Sequence, residues 1–314
     1  MPTPHPSTPS RLAAILLAVL VTFLWSTSWV LIKIGLRNDL PAITFAGLRY
    51  SLAFLCLVPF VLFDPRQRRA LKGLSPGDWI KLALLGVLMY TVTQSAQYLG
   101  LAYLPANMLS LLLNLTSIFV AYSGIRFLGE HPSRIQWGGT ALTVLGVGIY
   151  FLPIAVPQAQ VIGILIALVC LAGNVFASLM GRQVNRGSRL SPLLVTFVSM
   201  GIGSLLMLGL GLGTQGLGPV SRQDWAIIAW LAVVNTALAF TLWNRTLRTL
   251  TAIESSIINS LMMPQIALLA FLFLGETLTT KEILGLALVG AGVLIVQLKK
   301  RVTPEPASAE AFQE

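Results

Sequence analysis

Arg49 is the side chain in this sequence with the greatest chemical consequence, because it stands about eight residues inside an otherwise apolar run, Pro41–Phe63. A charge placed where hydrocarbon would surround it marks a functional position by default. Two roles are open to it: attracting the carboxylate of a substrate, or tying itself to the carbonyls that end a neighbouring helix. Neutral polar groups recur at comparable depth in other apolar runs. Tyr90, Gln94 and Gln97 fall at i, i+4 and i+7, on one face of a helix. Asn107, Ser110, Asn114 and Ser117 keep a similar helical spacing. Asn174 and Asn235 lie near the middle of their runs, Ser256, Asn259 and Met263 share another, and the first run offers Trp25, Ser28 and Trp29. Lipid cannot satisfy an amide, so these groups must face the protein interior or water. They either line a neutral, aromatic-and-amide cavity or join helices by interhelical hydrogen bonds. For Gln94, Asn114 and Trp25 the cavity is the preferred role.

Acids, which would carry a coupling proton, are scarce. Asp39, Asp64, Asp78, Glu130, Asp224, Glu276 and Glu282 fall at loops or run ends, and Glu305, Glu310 and Glu314 in the tail. Glu254, about one turn into the ninth run, is the single proton-coupling candidate, and its closeness to the run's start favours an ordinary exposed carboxylate. The two histidines, His5 and His131, lie in polar segments, and Cys56 and Cys170 each lie in an apolar run. No metal site, disulfide framework or nucleophile–base constellation can be assembled from them, so neither an enzyme nor a cofactor is expected.

The elements that must position these groups are apolar throughout. Of the residues, 55% are hydrophobic and 10% charged, against about 25% charged in an ordinary soluble domain. A soluble core of this size could not be clothed in so little charge; a bilayer removes that requirement. Ten runs reach, or nearly reach, the length that crosses ~30 Å of hydrocarbon: Leu12–Leu36, Pro41–Phe63, Trp79–Leu99, Leu104–Phe127, Gln136–Leu152, Val161–Gly181, Pro192–Leu212, Trp225–Leu247, Leu250–Leu274 and Glu282–Leu298. They are too apolar all round for amphipathic helices and lack the alternation of a β-barrel. The first continues through Trp25 and Trp29 with no small-residue cleavage site, so it is expected to be a permanent helix rather than a leader.

Lys and Arg are distributed unevenly between the segments that join these runs. Sixteen fall on one side: Arg11, Arg66, Arg68, Arg69, Lys72, Lys81, Arg126, Arg134, Arg182, Arg186, Arg189, Arg245, Arg248, Lys299, Lys300 and Arg301. Only Lys33, Arg37, Arg222 and Lys281 fall on the other. The positive-inside rule then places both termini in the cytoplasm. It also accounts for the net charge of +10 without nucleic acid. Lys33 is expected to snorkel to the interface.

The chain repeats itself. The segment from Leu104 aligns without gaps on the segment from Leu250, and both end in Phe-Leu-Gly-Glu, at Phe127–Glu130 and Phe273–Glu276. The match continues with Gly139, Ala141, Leu142, Gly146, Val147 and Ile149 on Gly285, Ala287, Leu288, Gly292, Val293 and Ile295. With five helices in each half, the second must insert upside down relative to the first, a recurrent transporter design with a site between the halves. The expected fold is all-α and integral to the membrane: ten transmembrane helices in two inverted five-helix repeats. The expected divisions are a disordered cytoplasmic start (1–11), a first repeat (12–152), a connecting loop (153–160), a second repeat (161–298) and a cytoplasmic tail (299–314). Gly139 and Gly146, like Gly285 and Gly292, are seven apart and should let the fifth and tenth helices approach closely. Gly129 and Gly275 are expected to end helices, with Glu130 and Glu276 at the water interface.

The residues Phe23–Lys33 (FLWSTSWVLIK), AGLRYSLA around Arg49, LSLLLNLTSIFVA before the first FLGE, Thr236–Leu247 (TALAFTLWNRTL), and Pro264 before the second FLGE resemble the drug/metabolite transporter superfamily in its EamA-type branch. The resemblance covers roughly Leu12 to Leu298. It implies export or exchange of small organic solutes by alternating access. One departure is visible: Ile118 stands in the first half where the second has Pro264, a position often proline in this family. The helix distortion is therefore expected in the second half only.

The function expected is a multi-pass cell-membrane transporter of amino-acid-like or amphipathic solutes. The substrate would be held by Arg49 and the amides in a cavity at the membrane midplane. Its partners would be a small-molecule substrate and the bilayer, with a monomer sufficient. A nucleotide-sugar or other anionic carrier is the alternative within the superfamily, and should expose several cations for phosphate. A non-transporting receptor or scaffold fits the composition but not the polar groups gathered at mid-span in both halves.

Overall fold

The computed structural model describes residues 11–116, 118–119, 133–151, 157–187, 190–246, 249–250 and 258–297. Both chain ends, Glu130 of the first FLGE and Glu254 lie outside them. Every element among the described residues is helical. The helices are α1 (Arg11–Arg37), α2 (Ala42–Leu62), α3 (Pro65–Lys72), α4 (Pro76–Gly86), α5 (Thr93–Tyr103), α6 (Ala106–Asn114) and α7 (Arg134–Phe151). They continue as α8 (Gln158–Gly187), α9 (Pro192–Thr214), α10 (Arg222–Ala232), α11 (Ala239–Thr246), α12 (Met262–Leu274) and α13 (Thr280–Gln297). A π-helical turn, Val87–Val92, joins α4 to α5, and a second, Val233–Leu238, joins α10 to α11. Each expected run carries described helix, the fourth and ninth only in part. Among the described residues, four helices, within α1, α2, α8 and α9, are long and apolar enough to cross a membrane by length and composition.

Their outer faces suit lipid. On α1, Leu12, Leu16, Leu20 and Phe23 are exposed along one stripe while Ala14, Ala18, Val21 and Thr22 are buried. Large apolar side chains exposed in such stripes are what a bilayer accepts and water does not.

Glycines show how the halves are arranged. A Cβ on Gly139 would stand 2.8 Å from the carbonyl oxygen of Gly292, and one on Gly146 2.8 Å from that of Gly285. Partners therefore run down α13 as they run up α7, so the two helices are antiparallel and in backbone contact. The same reversal joins α2 to α9: a Cβ on Gly47 would meet Leu208 at 2.6 Å, and one on Gly211 would meet Thr44. The second helix of each half and the fifth helix of each half thus pair antiparallel with their counterparts, which is the geometry of an inverted repeat. The remaining contacts obey it too. The first helix, α1, packs on α11 and α12 of the other half, and α8 packs on α5 and α6.

The internal correspondence extends further than the FLGE segments. At a constant offset of 146 residues, Ser75 and Asp78 match Ser221 and Asp224, and each pair forms a reciprocal capping box at the start of its helix. At that same offset Val87–Val92 matches Val233–Leu238, so both π turns occupy one position in the repeat. The break expected in the second half alone is also present in both. Leu115 N–H donates to Leu112 O at 3.2 Å, and Leu261 N–H donates to Ile258 O at 3.1 Å. These are tight i to i−3 bonds at matched positions, so the break does not depend on Pro264. In the first half the Asn114 side chain donates to the Ser110 carbonyl at 2.8 Å and competes for the helix's own acceptor.

Candidate functional site

The two π turns decide what faces the middle of the bundle. A π turn inserts one extra residue into a helix and leaves carbonyls without their usual partners. Here threonines take them. Thr93 Oγ1 donates to Leu88 O at 2.7 Å, and Thr236 Oγ1 to Leu231 O at 2.9 Å. Thr236 then has its lone pairs free, and it accepts from Arg49 Nε at 3.1 Å.

Arg49 is 6% exposed. Its Nη1 donates to the Tyr98 hydroxyl at 3.2 Å, and its guanidinium lies 5.0 Å from the ring centroid of Tyr50. Tyr98 is fixed by an edge-on contact with Phe45, 5.1 Å between centroids. Tyr50 donates its hydroxyl to Gln94 Oε1 at 2.7 Å and packs on Tyr90 at 5.6 Å. So α2, α5 and both π turns converge on one buried cation whose partners are all neutral. Two of the five N–H groups an arginine carries are bonded among the described residues, and no Asp or Glu is.

Asn235, next to Thr236, ties the second π turn to α1. Its Nδ2 donates to Leu24 O, to Thr27 Oγ1 at 3.0 Å and to Ser28 Oγ at 3.2 Å. Its Oδ1 is buried and has no partner among the described residues. Trp25 of α1 packs at a tilt against Phe240, 5.3 Å between ring centroids, and Trp243, 5.2 Å. Ser26 donates to Gln265 Oε1 at 2.9 Å, joining α1 to α12.

The sequence candidates therefore separate. Arg49, Tyr90 and Gln94 come together through Tyr50, which each of them meets. Ser28 of α1 bonds Asn235 of the second π turn, and Trp25 of α1 packs on Phe240 and Trp243 of α11. Asn174 is half-buried on α8, 3.7 Å from Cys170 Sγ, which itself donates to Thr93 O. Asn114 spends its amide within α6, and Asn259 is exposed. Glu254 lies outside the described residues. Tyr50, Tyr98, Thr236 and Gln265 were not among the candidates. Tyr98 follows Gln94 by one turn, the same spacing that singled out Gln94 itself.

The end of the bundle away from Arg11 of α1 and Gln297 of α13 is held by side chains that cross between elements. Lys33 does not snorkel outward: its Nζ donates to Leu101 O and, at 2.6 Å, to Leu104 O, the carbonyls that finish α5. Arg37 Nη2 donates to Leu274 O at 2.9 Å, at the end of α12, where Gly275 turns the chain at φ +68°. Glu276 then accepts from Ala106 N–H at 2.7 Å and Asn107 N–H at 3.2 Å, at the start of α6. Glu276 is thus a helix cap and not merely an interfacial acid. Asn38 donates to Asp224 Oδ1 at 2.8 Å. Burial pushes the Asp224 carboxyl up, but the bonds from Asn38 and Ser221 outweigh it and hold it below the usual carboxylate range. Beside Glu276 lies a cavity of about 350 Å³, lined by Asn107, Met108, Tyr150, Lys281 and Glu282 among others.

No metal-binding cluster of His, Cys, Asp or Glu occurs among the described residues. The comparisons with known proteins agree with this architecture. A probable amino-acid metabolite efflux pump of Salmonella typhimurium is 27% identical over 89% of this chain and 93% of its own. An uncharacterized transporter, YvbV, of Bacillus subtilis is 28% identical over 93% of this chain and 94% of its own. A solved crystal structure shares the fold at a TM-score of 0.63, with 16% identity, over 91% of this chain and 98% of that one. The profile of the EamA-like transporter family matches residues 12–152 and 161–298, the two repeats whose inversion the glycine contacts display. An inverted duplication, a lipid-facing exterior and a polar centre on paired π turns are thus those of a membrane transporter, and the chain belongs to the EamA-like transporter family.

Proposed function

We propose that this protein moves small amino-acid-like metabolites out of the cell, or exchanges them, by alternating access across the cell membrane. Both termini would lie in the cytoplasm, and a single chain would suffice. The observation that carries the reading is Arg49, a buried cation whose partners among the described residues are all neutral. A charge in such a place costs several kcal/mol unless an opposite charge joins it. A substrate carboxylate would supply one, since arginine's planar fork takes a carboxylate through two parallel bonds. The Oδ1 of Asn235 and the faces of Trp25 and Trp243 would accept an ammonium group. The relative named as a probable amino-acid metabolite efflux pump supports the same class. A nucleotide-sugar carrier is disfavoured, because a diphosphate calls for several cations and Arg49 is the one buried cation among the described residues.

The test is counterflow in proteoliposomes loaded with a mixture of the L-amino acids and challenged with labelled ones. Uptake that depends on the protein and falls at least about tenfold in Arg49→Gln supports the reading. Unchanged uptake in a correctly inserted Arg49→Gln protein removes Arg49 from the substrate site.

A further inference from the structure

The end of the bundle away from Arg11 and Gln297 carries a clamp that the transport reading leaves without a role. The residue before helix α6, Pro105, has a side chain with no oxygen to cap it. Its first N–H groups are met instead by Glu276, a residue of the other half of the molecule. The turn from α5 to α6 is held from its other side by Lys33, on the carbonyls of Leu101 and Leu104. An anion thus caps a helix start and a cation caps a helix end, each with the sign that the helix dipole favours. Arg37 fixes the end of α12 two residues before Glu276, so the acid is presented from a rigid base. Helix α6 carries Asn107, Ser110 and Asn114, all candidates for the cavity. To open the bundle at this end, α6 must part from the loop that bears Glu276.

We infer that Glu276 is the positioning residue that keeps the pathway closed at the end away from Arg11 and Gln297. Its carboxylate holds α6 shut, and releasing it opens that end while the other end closes. This rests on the alternating-access reading proposed above.

The experiment uses the full chain with Cys56→Ala and Cys170→Ala, which removes both native thiols. One reporter, Met108→Cys, is 5% exposed and lines the cavity beside Glu276. A second, Ala18→Cys, is fully buried toward the terminal end of α1. A membrane-impermeant charged maleimide is applied to intact cells for the first reporter and to inside-out vesicles for the second. Glu276→Ala is expected to speed labelling of Met108→Cys by at least about tenfold, the factor that one charge-assisted bond commands. The same change is expected to slow labelling of Ala18→Cys. Glu276→Gln, which keeps an acceptor but no charge, falls between. An unchanged rate at Met108→Cys overturns the inference, and so does acceleration at both reporters, which would mean general loosening. Should Glu276→Ala fail to insert, Lys33→Met frees the other side of the same turn and must give the same reciprocal pattern. Counterflow on the same preparations separates the two claims: a wild type that transports nothing defeats the transport reading, whereas a missing reciprocity defeats the clamp.

Discussion

The backbone contact between α7 and α13 can be perturbed at one atom. Replacing Gly292 by alanine adds a Cβ 2.6 Å from the Gly139 carbonyl oxygen and 2.7 Å from the Thr143 nitrogen. Ordinary contact begins at 3.4 Å, so the helices must part by about 0.8 Å there, and backbone cannot step aside as a flexible side chain can. Overpacking of this kind costs about 1–3 kcal/mol. Against it stands the gain of about 1 kcal/mol that alanine brings over glycine inside a helix. Gly148, on α7 itself, supplies the control, since a Cβ there meets nothing within 4 Å. Gly148→Ala should therefore hold or raise stability by up to about 1 kcal/mol, while Gly292→Ala lowers it. The assay is thermal unfolding of the detergent-solubilised protein, followed by loss of its monodisperse chromatographic peak. The double substitution Gly139→Ala/Gly292→Ala should cost less than the sum of its parts, because one separation relieves both clashes. If Gly292→Ala is as stable as Gly148→Ala, the close approach does not exist and the antiparallel pairing argued from it fails.

Other consequences follow from single bonds. Thr236→Val keeps the shape but removes the hydroxyl that both satisfies Leu231 O and receives Arg49; a loss of about 1–3 kcal/mol is expected for groups left unpaired, read by the same unfolding assay. Tyr98→Phe removes one neutral partner of Arg49 and should weaken substrate affinity in counterflow while the maximal rate changes less. Asp224 is held below its usual range by Asn38 and Ser221. Its ionised form therefore favours the folded state: that stability is complete above about pH 4 and is lost as pH falls through the lower folded value. Asp224→Asn should be less stable than wild type at pH 7 and should lack this acid-side loss, measured as unfolding temperature from pH 7 to pH 3.

Much of the fold was legible because bilayer chemistry writes itself into composition. A helix that faces lipid must be apolar for its whole length, and a helix that touches another's backbone must carry glycine at the contact. Gly139, Gly146, Gly285 and Gly292 stand where that reasoning put them. The π turns were not legible, since Val87–Val92 and Val233–Leu238 hold no glycine or proline to announce them. Their one trace was positional, the constant offset that also matches the two capping boxes. Arg49, Tyr90 and Gln94 could be singled out by charge and spacing, but Tyr98 and Thr236 could not. A tyrosine or threonine in an apolar run packs as readily as it bonds, and only the tertiary fold brings Thr236 of one half to Arg49 of the other. The role of Glu276 was hidden for a related reason. A terminal acid usually meets water, and nothing local says that the uncapped start of α6 lies beside it.

The central claim is that Arg49 meets the carboxylate of a small amino-acid-like substrate at the middle of the bundle. Its most direct measurement is release of a loaded mixture of L-amino acids and their desamino carboxylic acids from proteoliposomes, resolved by mass spectrometry, for wild type and Arg49→Gln. Selective loss of a few amino acids through the wild type, abolished in an Arg49→Gln protein that inserts and unfolds normally, is the predicted result. The same selective loss through Arg49→Gln would contradict it.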